Sequence, residues 1–268
     1  MNRFAVFGSP ISHSLSPQIH AAFAAQFGIA LTYERIPTEQ GGLKNALAAF
    51  QKIDGKGANI TLPLKHEAFT LCQRLSLSAQ RAKAANTIGW NEQGELWGDN
   101  TDGEGLIHDL THNHQLALTN KRILLLGAGG AASCVLSPLL AFSPTLVVVN
   151  RDITRARSML TANPALKAMD YELLAKSDEA PFDLIINATS ASLQESVPPL
   201  DVRYFKEAIC IDLVYQQKEL TPFLQWAKAH EASGLIDGLG MLIEQAALGF
   251  ALWHSQVPNT QSVISQLR

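Results

Sequence analysis

The chain has 268 residues, long enough for two modest domains, and its 47% hydrophobic and 17% charged content suits a packed globular protein and excludes disorder. A net charge of −3 gives no electrostatic reason to expect nucleic acid as a partner, and no apolar run approaches the length needed to span a bilayer. Three cysteines, Cys72, Cys134 and Cys210, lie far apart in apolar surroundings without metal-ligand spacing, which reads as buried thiols in a reducing compartment.

The segment Met1-Asn-Arg-Phe-Ala-Val-Phe-Gly8 reads as a strand entering the fold and not as a signal peptide, and with the cysteines it leads to an expectation of a cytoplasmic protein. Strands are predicted at Phe4 to Phe7, Leu31 to Ile36 and Gly57 to Ile60. Helices are predicted over Pro17 to Phe27, Leu43 to Phe50 and from about Leu64. Thr87 to Trp90 and Glu95 to Trp97 flank Asn91-Glu-Gln-Gly94, a hairpin signal. A helical segment follows from Gly103 to about Asn113.

An apolar run then ends in Gly127-Ala128-Gly129-Gly130-Ala131-Ala132, the pattern of a dinucleotide fingerprint with alanine at its third small position. Gly127 suits the tight turn, Gly129 lets the backbone approach a pyrophosphate, and amides at the helix start face the phosphates. The next predicted strand, Leu146 to Asn150, ends where an NAD site commonly places an acidic residue. Here stand Asn150 and Arg151, with Arg155 one helical turn later. A guanidinium suits a 2′-phosphate, so NADP(H) is the expected cofactor. Asp152 between the arginines is either a helix cap or a pull back toward NAD. A helix over Asp152 to Thr161 and strands at Leu184 to Asn187 and Ile209 to Val214 complete the rhythm of a doubly wound parallel sheet.

Asp237-Gly-Leu-Gly-Met241 opens an apolar helix through about His254, and a last helix runs from about Thr260. The expected architecture is α/β. An amino-terminal domain over 1–102 is completed by helices from 238–268, a Rossmann-like domain covers 103–237, and a cleft lies between the two.

Four further clusters carry polar side chains at loop positions: Ser12-His-Ser-Leu-Ser-Pro17, Asn59-Ile-Thr-Leu-Pro-Leu-Lys65, Ala85-Asn-Thr87 and Gly98-Asp-Asn-Thr-Asp-Gly103. In an α/β fold such positions gather at the carboxyl ends of strands, and hydroxyls, amides, a lysine and an aspartate suit a small polyhydroxylated acid. Together with Asn187-Ala-Thr-Ser190 and Asp237-Gly-Leu-Gly-Met-Leu242, and taken in this order, they closely resemble the shikimate dehydrogenase family over nearly the whole chain.

The resemblance implies NADPH-dependent reduction of 3-dehydroshikimate to shikimate. It implies that Ser14 and Ser16 bind the substrate carboxylate. Asn59, Thr61, Asn86, Asp102 and Gln245 would hold the ring hydroxyls, with Lys65 and Asp102 as the catalytic pair. Tyr215 would lie beside the substrate and Gly238 near the nicotinamide. Asn150, Arg151 and Arg155 match the family's 2′-phosphate loop, and Thr189 falls in its Asn-Ala-Thr-Ser motif. The chain departs from the family pattern at Asp152, commonly Thr, at Ser192, commonly Gly, and at Ala84-Ala-Asn-Thr87, which replaces the commoner Gly-Ala-x-Asn-Thr.

Structural explanations compete at several of these positions. Ser16 before Pro17 makes a good helix cap, Asp102 could cap the helix after it, and Asn59, Asn86 and Gln245 could tie loops together. Lys65 at a helix start opposes the helix dipole, so a structural motive is weak there. His108, His112 and His114 read as a solvated helix end and not as metal ligands. A quinate-oxidising or NAD-using relative, and a non-catalytic NADP-binding module, remain open alternatives. The expected partners are the small-molecule substrate and, for the protein itself, at most a second copy in a homodimer.

Overall fold

The computed structural model describes residues 2–160 and 166–268. Contacts divide the chain into two units, Met1–Leu106 with Leu242–Arg268, and Ile107–Met241.

The first unit is built on a six-stranded mixed sheet. Strand β1 (Asn2–Gly8) buries Phe4, Ala5, Val6 and Phe7 on both faces, as a central strand must, and α1 (Ser16–Gln26) leads to β2 (Leu31–Pro37). Next come α2 (Leu43–Lys52), β3 (Gly55–Ile60), α3 (Lys65–Leu71), β4 (Arg74–Leu75), α4 (Leu77–Ala82), β5 (Thr87–Trp90) and β6 (Leu96–Asp99). Their order across the sheet is β2-β1-β3-β5-β6-β4. Strands β2 and β3 run parallel to β1, and β5 runs antiparallel to both β3 and β6. The register sets Asn59 opposite Thr87 and Thr87 opposite Asp99, so polar residues line up at one end of three neighbouring strands. Helix α5 (Asp102–His108) starts directly beyond that end.

Neither β4 nor α4 is visible in the sequence pattern. A two-residue strand has no periodicity, and α4 is one short segment nucleated by Ser76, whose hydroxyl accepts from the Ala79 amide.

In the second unit the helical chain runs on through a π-helical turn, Asp109–Asn113, closed by His114 N–H to the Asp109 carbonyl at 3.1 Å. Asp109 is fully buried there, contrary to a solvated helix end, while His108 and His112 stack on the exposed side with ring centroids 4.0 Å apart. Six parallel strands follow: β7 (Arg122–Leu126), β8 (Thr145–Val149), β9 (Leu166–Met169), β10 (Leu184–Asn187), β11 (Ile209–Asp212) and β12 (Gly234–Ile236). Helices α6 (Gly130–Leu140), α7 (Ile153–Ser158), α8 (Tyr171–Lys176) and α9 (Pro222–Ala229) connect them. The order is β12-β11-β10-β7-β8-β9, which reverses between β7 and β10. Fully buried apolar runs at Ile123–Leu126, Leu146–Val149 and Leu184–Ile186 are what a parallel sheet covered on both faces requires. The predicted helix end at Thr161 lies outside the described residues. Strands β9 and β12, with α8 and α9, go beyond the sequence expectation; both strands are short edges.

The chain closes with α10 (Leu239–His254) and α11 (Thr260–Leu267). Within the first unit, the Trp253 indole N–H donates to Ile88 O at 3.0 Å, and Gln26 exchanges two hydrogen bonds with the Asn259 backbone, at 2.9 and 2.7 Å. Ile243, Ala247 and Phe250 are buried, as the apolar spacing of this helix predicts. No described helix is long and apolar enough to cross a membrane. Cys134 and Cys210 are buried, Cys72 is half-buried, and none of the three is in a disulfide.

His20 of α1 is 1% exposed, stacked on Tyr33 at 4.4 Å and 9° and close to Trp253 and Phe250. Burial lowers its pKa from 6.5 to about 3. The unfolded chain therefore takes up a proton below pH 6.5 that the folded chain refuses, and stability present above that pH is lost as pH falls. At 1.36 kcal/mol per unit, this one group costs about 2 kcal/mol between about pH 7 and 5. Denaturant unfolding of wild type and His20→Gln across that range is expected to show the shallower pH slope in the variant; parallel slopes would contradict it.

Candidate active site

Lys65 is the first residue of α3 and Asp102 the first of α5. Lys65 Nζ donates to Asp102 Oδ2 at 2.6 Å, with the two side chains 18% and 8% exposed. Each element is tied down near the pair. The Lys65 carbonyl accepts from Ala85 N–H at 2.9 Å, and Glu67, in the first turn of α3, accepts from the amides of Gly41 and Leu43 at 2.8 and 3.0 Å. The acidic Glu67 thus sits at the amino end of α2, where the helix dipole favours it. Asp102 does not serve as a cap: its side chain turns to Lys65 and Asn86, and its own amide donates to Asn100 Oδ1 at 3.2 Å.

The other carboxylate oxygen, Asp102 Oδ1, accepts from Asn86 Nδ2 at 2.9 Å. Asn86 is 2% exposed, and its Nδ2 also lies 3.0 Å from Thr101 Oγ1 and 3.1 Å from Gln245 Oε1. Two protons cannot serve three acceptors at once, so one acceptor among Asp102, Thr101 and Gln245 is left over for a ligand hydroxyl. Gln245 comes from α10, and its backbone carbonyl accepts from Thr101 Oγ1 at 3.0 Å. A helix at the far end of the chain therefore completes a cluster that begins at residue 59.

Asn59 differs from Asn86. Its Oδ1 accepts from Tyr33 OH at 2.6 Å and meets His20 Nε2 at 3.1 Å, while its Nδ2 donates to Asn86 O at 3.3 Å and Thr87 Oγ1 at 3.1 Å. Both acceptor sites and both donors are engaged by the protein. Thr61 is half-buried in the turn after β3, its amide bonded to Phe7 O at 2.9 Å and its methyl against Gly8, where a Cβ would come within 2.4 Å of it.

The serine loop stands at the start of α1. Helix α1 begins at Ser16 itself, and the preceding cap position, Leu15, makes no side-chain bond. The Ser16 hydroxyl is thus not used as the cap that the Ser-Pro pair suggests. Instead it accepts from Ser14 Oγ at 3.1 Å, and the Ser14 carbonyl is held by the Arg35 guanidinium at 2.9 and 2.6 Å.

In the second unit, Gly127 sits at the end of β7 with φ +106°, and a Cβ there would come 3.1 Å from Ala188 O and 3.2 Å from Thr189 Cγ2. Only glycine meets both demands. Gly129, in extended conformation, precedes α6 without any side-chain cap, and Gly129 and Gly130 are exposed with open space where a Cβ would stand; Ala128 and Ala131 are half-buried. An uncapped helix start at the reversal point of a doubly wound sheet is a fitting seat for a pyrophosphate. Thr189 is fixed by Asn187 Oδ1, which accepts from its amide at 3.1 Å and its hydroxyl at 2.7 Å.

Behind it, buried Asp212 accepts from Asn187, Ser192, Thr221 and the Val214 amide at 3.1, 2.6, 2.6 and 3.1 Å. Burial raises the pKa of Asp212 and these donors oppose the rise. Ser192, one of the three departures from the family pattern, thus has a clear role: its hydroxyl helps satisfy a buried carboxylate. Asp212 carries no distinguishing signal in the sequence; it falls inside the predicted strand Ile209 to Val214 and ends the observed β11.

Asn150, Arg151 and Arg155 lie at the end of β8 and on α7, with both arginines exposed. Asp152 is the helix cap, its Oδ1 accepting from Thr154 N–H at 2.9 Å, and its Oδ2 lies 3.8 Å from Arg155 Nε. Tyr215 is half-buried in the segment after β11, and Gly238 packs its backbone so closely on Leu213 that a Cβ would approach within 2.3 Å of that carbonyl. Among the described residues no group of three or more His, Cys, Asp and Glu is arranged to hold a metal ion.

Residues 6–88 match the family description "Shikimate dehydrogenase substrate binding domain", residues 109–198 "Shikimate / quinate 5-dehydrogenase", and residues 238–268 "Shikimate 5'-dehydrogenase C-terminal domain". The shikimate dehydrogenase (NADP(+)) of Nitrosococcus oceani is 47% identical over 272 aligned positions, covering 100% of this chain and 95% of that protein. Among solved structures, an Ael1 enzyme from Pseudomonas putida superposes with a TM-score of 0.91 at 41% identity, covering 100% of this chain and 98% of that one. Shikimate 5-dehydrogenase from Thermus thermophilus, in complex with NADP(H) and shikimate, does so with a TM-score of 0.87 at 35% identity, covering 100% and 99%. With its sheltered lysine–aspartate pair and its glycine turn at the sheet reversal, this chain belongs to the shikimate dehydrogenase family.

Proposed function

We propose that this protein catalyses 3-dehydroshikimate + NADPH + H⁺ ⇌ shikimate + NADP⁺, the reductive step on the way to chorismate and the aromatic amino acids, in the cytoplasm and as a monomer or homodimer. The observation that carries the reading is the 2.6 Å contact between Lys65 and Asp102, with Asn86 on the second carboxylate oxygen.

NADPH supplies the hydride when bound. The amides at the start of α6, from Gly129 to Ala131, are suited to its pyrophosphate, and Gly127 and Ala128 shape the turn beneath it. Thr189 lines the same strand ends, and Gly238 offers a bare backbone toward the nicotinamide. Asn150, Arg151 and Arg155 take the 2′-phosphate, for which a guanidinium is the matching donor.

Lys65 donates to the ketone oxygen as negative charge develops there, and in the reverse direction accepts the alcohol proton. Asp102 holds the amine in place and receives a ring hydroxyl. Asn86, Thr61 and Gln245 bind the remaining hydroxyls, Ser14 and Ser16 the carboxylate, and Tyr215 lies beside the ring. Asn59, with all its hydrogen-bonding positions taken, serves the substrate from behind.

Mixing the protein with shikimate and NADP⁺ and following the reduced-nicotinamide absorbance band tests the reading; no rise with either shikimate or quinate would sink it. Lys65→Ala is expected to lower turnover by about 10²–10⁴-fold, with a much smaller change in the shikimate KM. A loss confined to KM would reduce Lys65 to a binding residue. Arg151→Ala is expected to raise the NADPH KM by about tenfold or more while leaving that for NADH alone, since a charge-assisted contact contributes about 1.5–3 kcal/mol. Asp152→Asn keeps a good helix cap and removes a carboxylate from the phosphate's neighbourhood. It should therefore sharpen the preference for NADPH over NADH, and an unchanged ratio of kcat/KM values would show that Asp152 acts only as a cap.

A further inference from the structure

The two groups assigned to the substrate carboxylate, Ser14 and Ser16, are neutral hydroxyls. A hydroxyl offers an anion a hydrogen bond but no opposite charge. A cation stands directly behind them. Arg35, on β2, reaches the serine loop with Nε and Nη2 both donating to the Ser14 carbonyl, at 2.9 and 2.6 Å. Its side chain shares a face of the strand with Tyr33, which stacks on His20 of α1. This face of β2 therefore looks toward the helix that begins at Ser16.

The Arg35 charge is free to act on a ligand. Among the described residues it forms no ion pair, whereas its neighbour on the strand, Glu34, is taken by Arg3 at 3.3 Å. The carbonyl that it holds is a neutral partner and leaves the full charge in place. Helix α1 has no acidic residue in its first turn and no side-chain cap, so the partial positive charge of its amino end adds to that of the guanidinium. One residue, Ser14, carries both the carbonyl that meets Arg35 and a hydroxyl assigned to the carboxylate. The two charges would thus stand within about 8 Å, a Debye length at physiological ionic strength.

We propose that Arg35 is a specificity-determining residue of the substrate site: its unpaired charge behind the serine loop selects a carboxylate over an uncharged group at the position the two serines serve. It does not touch the reacting atoms. The proposal rests on the function given above, because the carboxylate is that of the substrate named there.

Arg35→Gln removes the charge and keeps an amide donor for the Ser14 carbonyl; Arg35→Lys keeps the charge. Initial rates with NADP⁺ are measured on shikimate and on shikimate methyl ester, which has the same ring and hydroxyls without the negative charge, at low and at high KCl. Unfolding midpoints confirm that each variant is folded. Arg35 is exposed and water screens it, so Arg35→Gln is expected to lower kcat/KM for shikimate about two- to fivefold, through KM. The value for the ester and the NADP⁺ KM should stay as in wild type. Arg35→Lys is expected to recover most of the loss. Added KCl should bring the wild-type shikimate value down toward that of Arg35→Gln and leave the ester alone. Where the ester turns over too slowly to follow, its inhibition constant against shikimate takes the place of its KM.

An Arg35→Gln loss of the same size on ester and acid would show that the guanidinium only holds the loop, and would overturn the proposal. An Arg35→Gln protein equal to wild type on shikimate would do the same. If that variant fails to fold, the salt comparison decides: wild-type constants that fall equally with KCl for acid and ester overturn the charge selection. Wild-type protein that reduces NADP⁺ with neither shikimate nor quinate would instead remove the functional reading on which the proposal stands.

Discussion

An amine and a carboxylate, both largely sheltered from water, hold each other at 2.6 Å between two helix starts, and the first unit is organised around keeping them so. Taking such charges out of water costs several kcal/mol per ion, and their attraction offsets this only when the geometry is good and the remaining lone pairs are satisfied. Both conditions are visible. Asn86 takes the second oxygen of Asp102, Glu67 anchors the helix that carries Lys65, and Gln245 arrives from α10 to close the cluster. A pair held this firmly keeps a proton donor at a defined point, which reduction of a ketone requires.

The second unit follows the opposite policy at its own functional end. The polar groups of the first unit's cluster are extensively bonded to one another, whereas α6 begins without a side-chain cap, beside glycines that leave open space. Unsatisfied amides at a helix start attract an anion. The buried Asp212 cluster behind Thr189 shows that the same unit satisfies its polar groups where no ligand is needed. On the proposed function, affinity for a dinucleotide would reside in backbone, and discrimination between dinucleotides in the exposed side chains at 150–155.

Legibility in the sequence followed length and environment. Strands β7, β8, β10 and β11 were readable because strands buried on both faces become continuous apolar runs. Strands β4, β9 and β12 were not, because two to four residues at a sheet edge carry neither periodicity nor a run. At the site, Lys65 and Asp102 stood out as charged residues in unusually polar loop clusters, and the family resemblance supplied their pairing. His20 and Tyr33, which meet Asn59 Oδ1, carry no signal beyond that of a helix and a strand. Ser16 carried a misleading signal: Ser-Pro is a good helix-start sequence, but the helix takes in the serine and its hydroxyl turns to Ser14.

The sequence by itself determined two α/β units, the glycine turn before α6, the basic end of β8 and the identity of the charged pair. These follow from local patterning, since apolar period, glycine spacing and charge type are properties of short segments. Tertiary structure alone decided which hydrogen-bonding groups are spent within the protein and which are left for ligands. It placed Asn59 among partners that match its groups one for one, and set the two Asn86 protons against three acceptors, so that one acceptor beside Asn86 is left over. The physical reason is range: hydrogen bonds depend on tenths of an ångström and on direction, and the partners here lie up to 159 positions apart along the chain.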